Sequence, residues 1–355
     1  PINDNFLDEA EKAAILDNLE DDNRFHLSAE ANLLFNFKHK KQRFSIGARQ
    51  RSLAYAQFNN PDLMGLVLLG NAAYEGETVR DEDILLRIQS YSELSFATAA
   101  QKDKWSYGLR LKFLFANNLT NLDLRSFELF TEEFGTEVRV ASNFEYDRTS
   151  ANGLGGFGAG VDLGVNYQIN EKLSAQASIV DLGFISWRVD KILNSLNTSY
   201  EGVFIEDITN VNISDDESIF ASDSLERLFF PDTISTNSSI YLPAFGQVGL
   251  SYVLGQKSSL GVLLRWGFFR DSPLSTKAQI SGIYQYHFSN WLKGGIHTSI
   301  GGLEGFEAGA LLAGNIPLGK KQDLKIFCQS DKLWGFINPK SGKGQTLQIG
   351  LIFQY

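Results

Sequence analysis

Trp105-Ser106-Tyr107-Gly108-Leu109-Arg110-Leu111-Lys112-Phe113 places a large apolar residue at every odd position and a small or charged one between. Successive strand residues point to opposite faces, so this segment has one greasy and one polar face. Phe157, Ala159, Val161, Leu163, Val165 and Tyr167 alternate in the same way with Gly158, Gly160, Asp162, Gly164, Asn166 and Gln168. Phe25 through Phe37 repeats the pattern. A soluble sandwich also alternates. These strands, however, are long against the usual mode of about 5–6 residues. Their greasy faces are aromatic, and their other faces carry Gly, Ser, Gln and charge. Those signatures predict an all-β fold: a transmembrane antiparallel up-and-down β-barrel of 14–16 strands with short helices in its loops.

Fifteen strands are expected, at 25–37, 43–57, 84–100, 105–117, 121–131, 136–146, 157–168, 173–187, 245–254, 260–269, 276–288, 292–300, 306–314, 323–330 and 346–355. Short polar turns at His39–Gln42, Gln101–Lys104, Asn170–Lys172, Gly255–Ser259, Ser289–Trp291 and Pro317–Gln322 share one end. Residues 59–83, 147–156, 188–244, 270–275 and 331–345 form longer loops at the other end, which in outer-membrane barrels faces outside. The domain reading is residues 1–23 as an external helical segment and 24–355 as one barrel. An odd count conflicts with the even numbers of bacterial single-chain barrels. One further strand upstream of Pro1 repairs the parity, in keeping with the lack of a basic-then-apolar leader. A miscounted strand is the alternative. Direct pairing of 25–37 with 346–355 counts against the upstream strand. Helices are expected at 6–20, at 61–69 behind Pro61 and ahead of Gly70, and at 215–228.

The chain has 355 residues, 32 Lys+Arg against 42 Asp+Glu, and a net charge of −10. That balance argues against a nucleic-acid partner. Single Cys328 excludes an intrachain disulfide, and the scattered His26, His39, His287 and His297 form no local zinc motif. The longest nearly apolar run, Met64 to Leu69, is too short for a spanning helix. The glycines from Gly153 to Gly160 precede a strand and not a helix, so they fail the dinucleotide context, and Ser341-Gly-Lys343-Gly lacks phosphate-loop spacing. The glycines fit a barrel bend or a plug better. The acidic clusters Asp17–Asp22 and Asp215–Glu217 lack calcium-loop spacing. No Ser-His-Asp arrangement stands out. No catalytic residue, metal or cofactor is implied.

The polar faces project Glu93, Arg110, Lys112, Asp162, Arg265, His287, Lys293 and His297 into the lumen. A symmetric turn at Gln101–Lys104 sets Glu93 opposite Lys112, Leu94 opposite Leu111 and Phe96 opposite Leu109; the turn at Ser289–Trp291 sets His287 opposite Lys293. On the lipid face an Arg or Lys would cost about 2–4 kcal/mol at mid-membrane. Inside, such charges either line a solute path or, the preferred reading, form an internal ion-pair network. Within 188–244, Tyr200, Phe204, Phe220, Phe229 and Phe230 offer an apolar partner surface; equally, this loop folds down and caps the barrel. The alternating end at Leu351, Phe353 and Tyr355 resembles the signal by which barrel-assembly machinery recognises outer-membrane clients.

Gly70-Asn71, Tyr74-Glu-Gly76, Tyr91-Ser-Glu93, Gly108-Leu-Arg110-Leu-Lys112 and Asp181-Leu-Gly183-Phe-Ile-Ser-Trp187 carry a further likeness. In this order they resemble a family of uncharacterised Bacteroidota outer-membrane proteins, similar in turn to the long-chain fatty-acid transporter type of barrel. The resemblance covers about residue 15 to the end. It implies passive passage of a hydrophobic or amphipathic solute through a barrel in outer-membrane lipid. Related barrels also serve as non-transporting subunits of outer-membrane secretion, assembly or uptake complexes, with other outer-membrane or surface proteins as partners. A lateral opening or continuous lumen distinguishes the first use; a blocked lumen with a stable partner distinguishes the second. An enzyme requires a nucleophile and base clustered near the rim.

Overall fold

The computed structural model describes residues 7–40, 42–150, 154–201, 233–269, 277–302, 305–317, 323–333, 336 and 345–354. Helix α1 (Glu9–Leu16) precedes β1 (Asn23–His39) and β2 (Gln42–Phe58). Helix α2 (Pro61–Leu69) and a 3-10 turn lead to β3 (Thr78–Lys102), β4 (Trp105–Thr131), β5 (Glu137–Thr149), β6 (Gly156–Gln168) and β7 (Leu173–Glu201). The remainder is β8 (Ile234–Tyr241), β9 (Phe245–Val253), β10 (Ser258–Gly267), β11 (Gln279–His287), β12 (Leu292–Gly301), β13 (Gly305–Pro317), β14 (Asp323–Ser330) and β15 (Gln348–Gln354). All fifteen strands belong to one sheet closed on itself. The protein is a transmembrane antiparallel β-barrel.

The expected number of strands is met, but with different members. The segments read as 105–117 and 121–131 are one strand, β4, bent by a bulge at Asn117. β8 lies inside the segment assigned to the long outer loop. β5 and β6 both pair with β4 and with β7, end to end, so together they make one stave. β8 and β9 follow each other along β7 in the same way. The ends of the expected outer loop 147–156 therefore belong to the wall: Asp147 to Thr149 lie in β5 and Gly156 in β6, with Thr149 facing Val189 and Gly156 facing Trp187.

The ring thus has thirteen staves among the described residues. An odd ring of alternating strands must close with a parallel pair, and β1 pairs β15 in parallel at Phe35–Phe353 and Asn36–Gln354. That is the contact which counts against a further strand between them in this ring. It is short, and β1 from Asn23 to Leu34 has no strand partner on that edge among the described residues.

The short turns do share one end. The turn between β3 and β4 is tighter than expected. Lys102 pairs Trp105 across a two-residue Asp103-Lys104 turn, with Asp103 at φ 52. The register moves by two residues, so Glu93 faces Leu114, Leu94 faces Phe113, Phe96 faces Leu111, and Lys112 faces Ser95. The faces are unchanged because the shift is even. The predicted His287–Lys293 pair holds.

On β4 the lipid-facing row runs from Trp105 to Phe115, matching the 9–11 residues a tilted strand needs to cross. Trp105 meets Tyr167 in a tilted ring contact near the short turns, and Phe115 meets Phe157 near the other rim. Above that rim Gln50, Ser92 and Asn117 hydrogen-bond to one another. β3, β4, β5 and β7 continue past it. Their outer parts pack Val79, Leu129 and Val138 against Leu66 of α2. Asp8 caps α1 and Asn60 caps α2, as the sequence patterns at Pro61 and Gly70 anticipate. The expected third helix at 215–228 lies outside the described residues.

Candidate functional site: the charged lumen and its thin wall

Bulges decide which side chains enter the lumen. β6 and β7 slip register between Val161–Leu182 and Leu163–Ile179, so Val180 and Asp181 together oppose Asp162. Before the bulge the odd residues of β7 face lipid; after it Leu182 and Phe184 do. Asp181 sits at φ 58, a left-handed conformation that Asp tolerates better than most residues. Its backbone N–H donates to the Asp162 carboxylate at 2.8 Å. The added residue turns the Asp181 side chain inward, where it is 2% exposed. Backbones run close here: a Cβ on Gly183 would lie 2.2 Å from the Ala159 carbonyl oxygen, and one on Gly158 2.2 Å from that of Phe184. This is what the glycine run is for.

Asp181 is the hub of a neutral network of four bases and four acids. Lys112 Nζ lies 2.5 Å from both Asp162 and Asp181. Arg51 reaches Asp181 at 3.1 Å and the Tyr91 hydroxyl at 3.3 Å. Arg49 pairs with Glu93 directly across β2 and β3, and with Asp181 at 3.3 Å. Glu30 stands 3.6 Å from both Arg49 and Arg51, and Arg110 lies 3.7 Å from Asp162. Toward the outer end the interior is dry. Leu53, Tyr91, Leu114, Ala116, Leu119, Ile185, Trp187, Val189 and Leu242 pack there with at most 3% exposure.

Of the residues expected in the lumen, Glu93, Arg110, Lys112 and Asp162 join this network, and Glu93 takes Arg49 as partner instead of Lys112. The others stand apart. The Arg265 guanidinium covers the Phe245 ring at 3.6 Å, and His297 lies 3.4 Å from Asp331. His287 and Lys293 face each other near the short turns. Sequence reading missed Arg49, Arg51 and Glu30, although alternation places all three on polar faces. It also missed Asp181 as a site residue, because strict alternation puts that side chain in lipid. Tyr200 is the last residue but one of β7; Phe204, Phe220, Phe229 and Phe230 lie outside the described residues. Leu351 faces lipid at 60% exposure, Phe353 lies in β15, and Tyr355 is outside the described residues.

Beneath the network the wall thins. Gly108 and Gly164 face each other across β4 and β6. Outside them an apolar groove of about 740 Å³ is lined by Tyr107, Leu109, Leu163, Val165, Ile179 and Trp266. Inside them a cavity of about 420 Å³ is lined by Arg43, Ser45, Arg110, Asp162 and Val180. Thr98, Gly108, Leu109, Leu163, Gly164 and Ser178 border both.

Fold and site together define a membrane-spanning β-barrel with a charge-locked, partly filled lumen. The chain belongs to a family of unknown function, DUF5723, whose model matches residues 2–318. No curated protein matches it. Among solved structures it is similar to the Pseudomonas putida toluene transporter TodX, with 10% identity, TM-score 0.47, and 90% of this chain and 85% of that one covered. A Pseudomonas aeruginosa FadL homologue is similar with 9% identity, TM-score 0.44 and coverage of 85% and 69%. The CymD monoaromatic hydrocarbon channel is similar with 12% identity, TM-score 0.38 and coverage of 90% and 85%.

Proposed function

We propose that this protein is a non-enzymatic barrel of the bacterial outer membrane that passes an amphipathic solute passively between its lumen and the surrounding lipid. The observation that carries this reading is the pair of spaces back to back on the Gly108–Gly164 wall, one apolar and open to lipid, one polar and open to the lumen. An amphipath divides its parts between two such environments: apolar surface is stabilised by about 25 cal/mol per Å² outside water, and a charged head stays solvated. The network above, satisfied throughout its carboxylates, blocks the direct route on that side of the lumen.

A lipid-vesicle assay tests this. Transfer of a fluorescent fatty acid across vesicles containing the barrel is expected to be faster than across empty ones. Gly164→Trp is expected to remove most of the gain while the barrel stays folded. Equal transfer by the wild type and Gly164→Trp overturns the reading. A second use, as a subunit of an outer-membrane complex, has one observation in its favour. Above the lipid belt, Phe25, Leu27, Leu86 and Ile88 form an exposed apolar sheet face, with Leu27 72% exposed. A stoichiometric protein companion after gentle detergent extraction supports that use.

A further inference from the structure

The lower lumen, between the charge network and the short turns, has a composition that the chain as a whole does not. The protein is acidic by ten charges. Yet the lumen faces of the strand ends here present Lys38, Arg43, Lys293, Lys325 and His287. Each lies on the face opposite an apolar neighbour on the outer face: Phe37, Phe44, Leu292, Ile326 and Phe288. Among the described side chains, which do not include that of Asp323, none of these five bases has an acid within 4.0 Å, whereas the bases of the network above are all paired. Between them the lining includes the small or neutral Asn36, Ser45, Ala97, Ala99, Gly108, Ser178 and Asn315, with apolar Leu311 and Phe327. Asp162, the acid at the roof, is already engaged by Lys112 and Arg110.

One cross-strand pair makes the arrangement costly: Lys38 sits directly opposite Arg43. Lys293 sits opposite His287 and gains no acid there. Like charges facing each other on one side of a sheet destabilise it. The wall gains nothing from these cations. Four of the five bases border two cavities, about 420 Å³ at Arg43 and about 360 Å³ at His287, Lys293 and Lys325.

We infer that this vestibule is a receptor for anionic groups, a carboxylate or phosphate carried by the solute. The inference rests on the transport reading for the solute's identity, but not for its own test. Cations converging on a water-filled space with low-dielectric walls focus the field and concentrate anions. A ring of Lys and Arg is also the ordinary way a pore selects for them. An amphipath with an anionic head would hold that head at Arg43 while its tail meets the outer groove.

The test uses the purified barrel in nonionic detergent and pyrenetetrasulfonate, a water-soluble polyanion, followed by fluorescence anisotropy. Saturable binding that weakens with salt is expected. The variant K38Q/R43Q/K293Q/K325Q is expected to weaken it by about tenfold or more. A rim variant, K40Q/K172Q/K257Q, is expected to stay within about twofold. The same loss in both variants, or loss in the rim variant alone, assigns the anion site to a collar for lipid headgroups and overturns the vestibule. Absence of saturable binding at low salt overturns it as well. Heat-modifiable migration on gels shows that both variants are folded. Because dye binding requires no transfer, a barrel that binds the dye but moves no amphipath refutes the transport reading alone.

Discussion

Removing the Asp181 carboxylate leaves Arg49, Arg51 and Lys112 converging on a site with one acid fewer. Breaking a buried pair by deleting one partner costs about 3–5 kcal/mol. Asp181→Ala is therefore expected to lower the unfolding free energy, read from urea titration, by that order. Asp181→Asn, which keeps the acceptor oxygen and the left-handed conformation, is expected to lose less. Equal losses would assign the effect to the charge that both variants remove, and a loss confined to Asp181→Ala would assign it to the backbone bulge. At this scale the sequence showed which polar residues belong inside wherever alternation ran unbroken, as at Glu93, Lys112 and Asp162. It could not show Asp181, because one inserted residue reverses the parity of everything after it.

The tall strands behave as two elements in series. Their lower parts are held by lipid and by the network. Their outer parts depend on a small cluster of Leu66, Val79, Leu129 and Val138. Truncating a buried leucine costs about 2–5 kcal/mol. Leu129→Ala is thus expected to loosen the outer lobe alone. Limited trypsin digestion then cuts at the exposed Arg80 and Arg125 and leaves a protected barrel fragment; uniform digestion would show that lobe and barrel unfold together. The sequence marked α2 through Pro61 and Gly70. It did not mark the continuity of β4, because alternation lapses at 118–120 and reads as a break until the flanking strands carry the chain through the bulge at Asn117.

At the scale of the whole molecule, a lipid belt about ten residues tall predicts a sharp boundary in chemical access. Cys328 lies on the lipid face, paired with Leu312 and Ile349. In intact membranes it is expected to resist a membrane-impermeant maleimide and to react with a lipid-soluble one. With Cys328 replaced by Ser, a cysteine at Leu27, above the belt, is expected to react with the impermeant reagent, and one at Leu111, within it, is not. Reaction at Leu111 would place the belt elsewhere.

The sequence by itself determined the class of fold, the two faces of nearly every strand and the shared end of the short turns, because period-two alternation and turn residues are local properties. The tertiary structure decided the rest. It decided how many staves the strands make, since end-to-end pairing of β5 with β6 and of β8 with β9 is a matter of which neighbours they share. It also decided which charges neutralise one another. Arg49, Lys112 and Asp181 meet only after the sheet has curled, and the cations left over at the short-turn end stand out only once the paired ones are known.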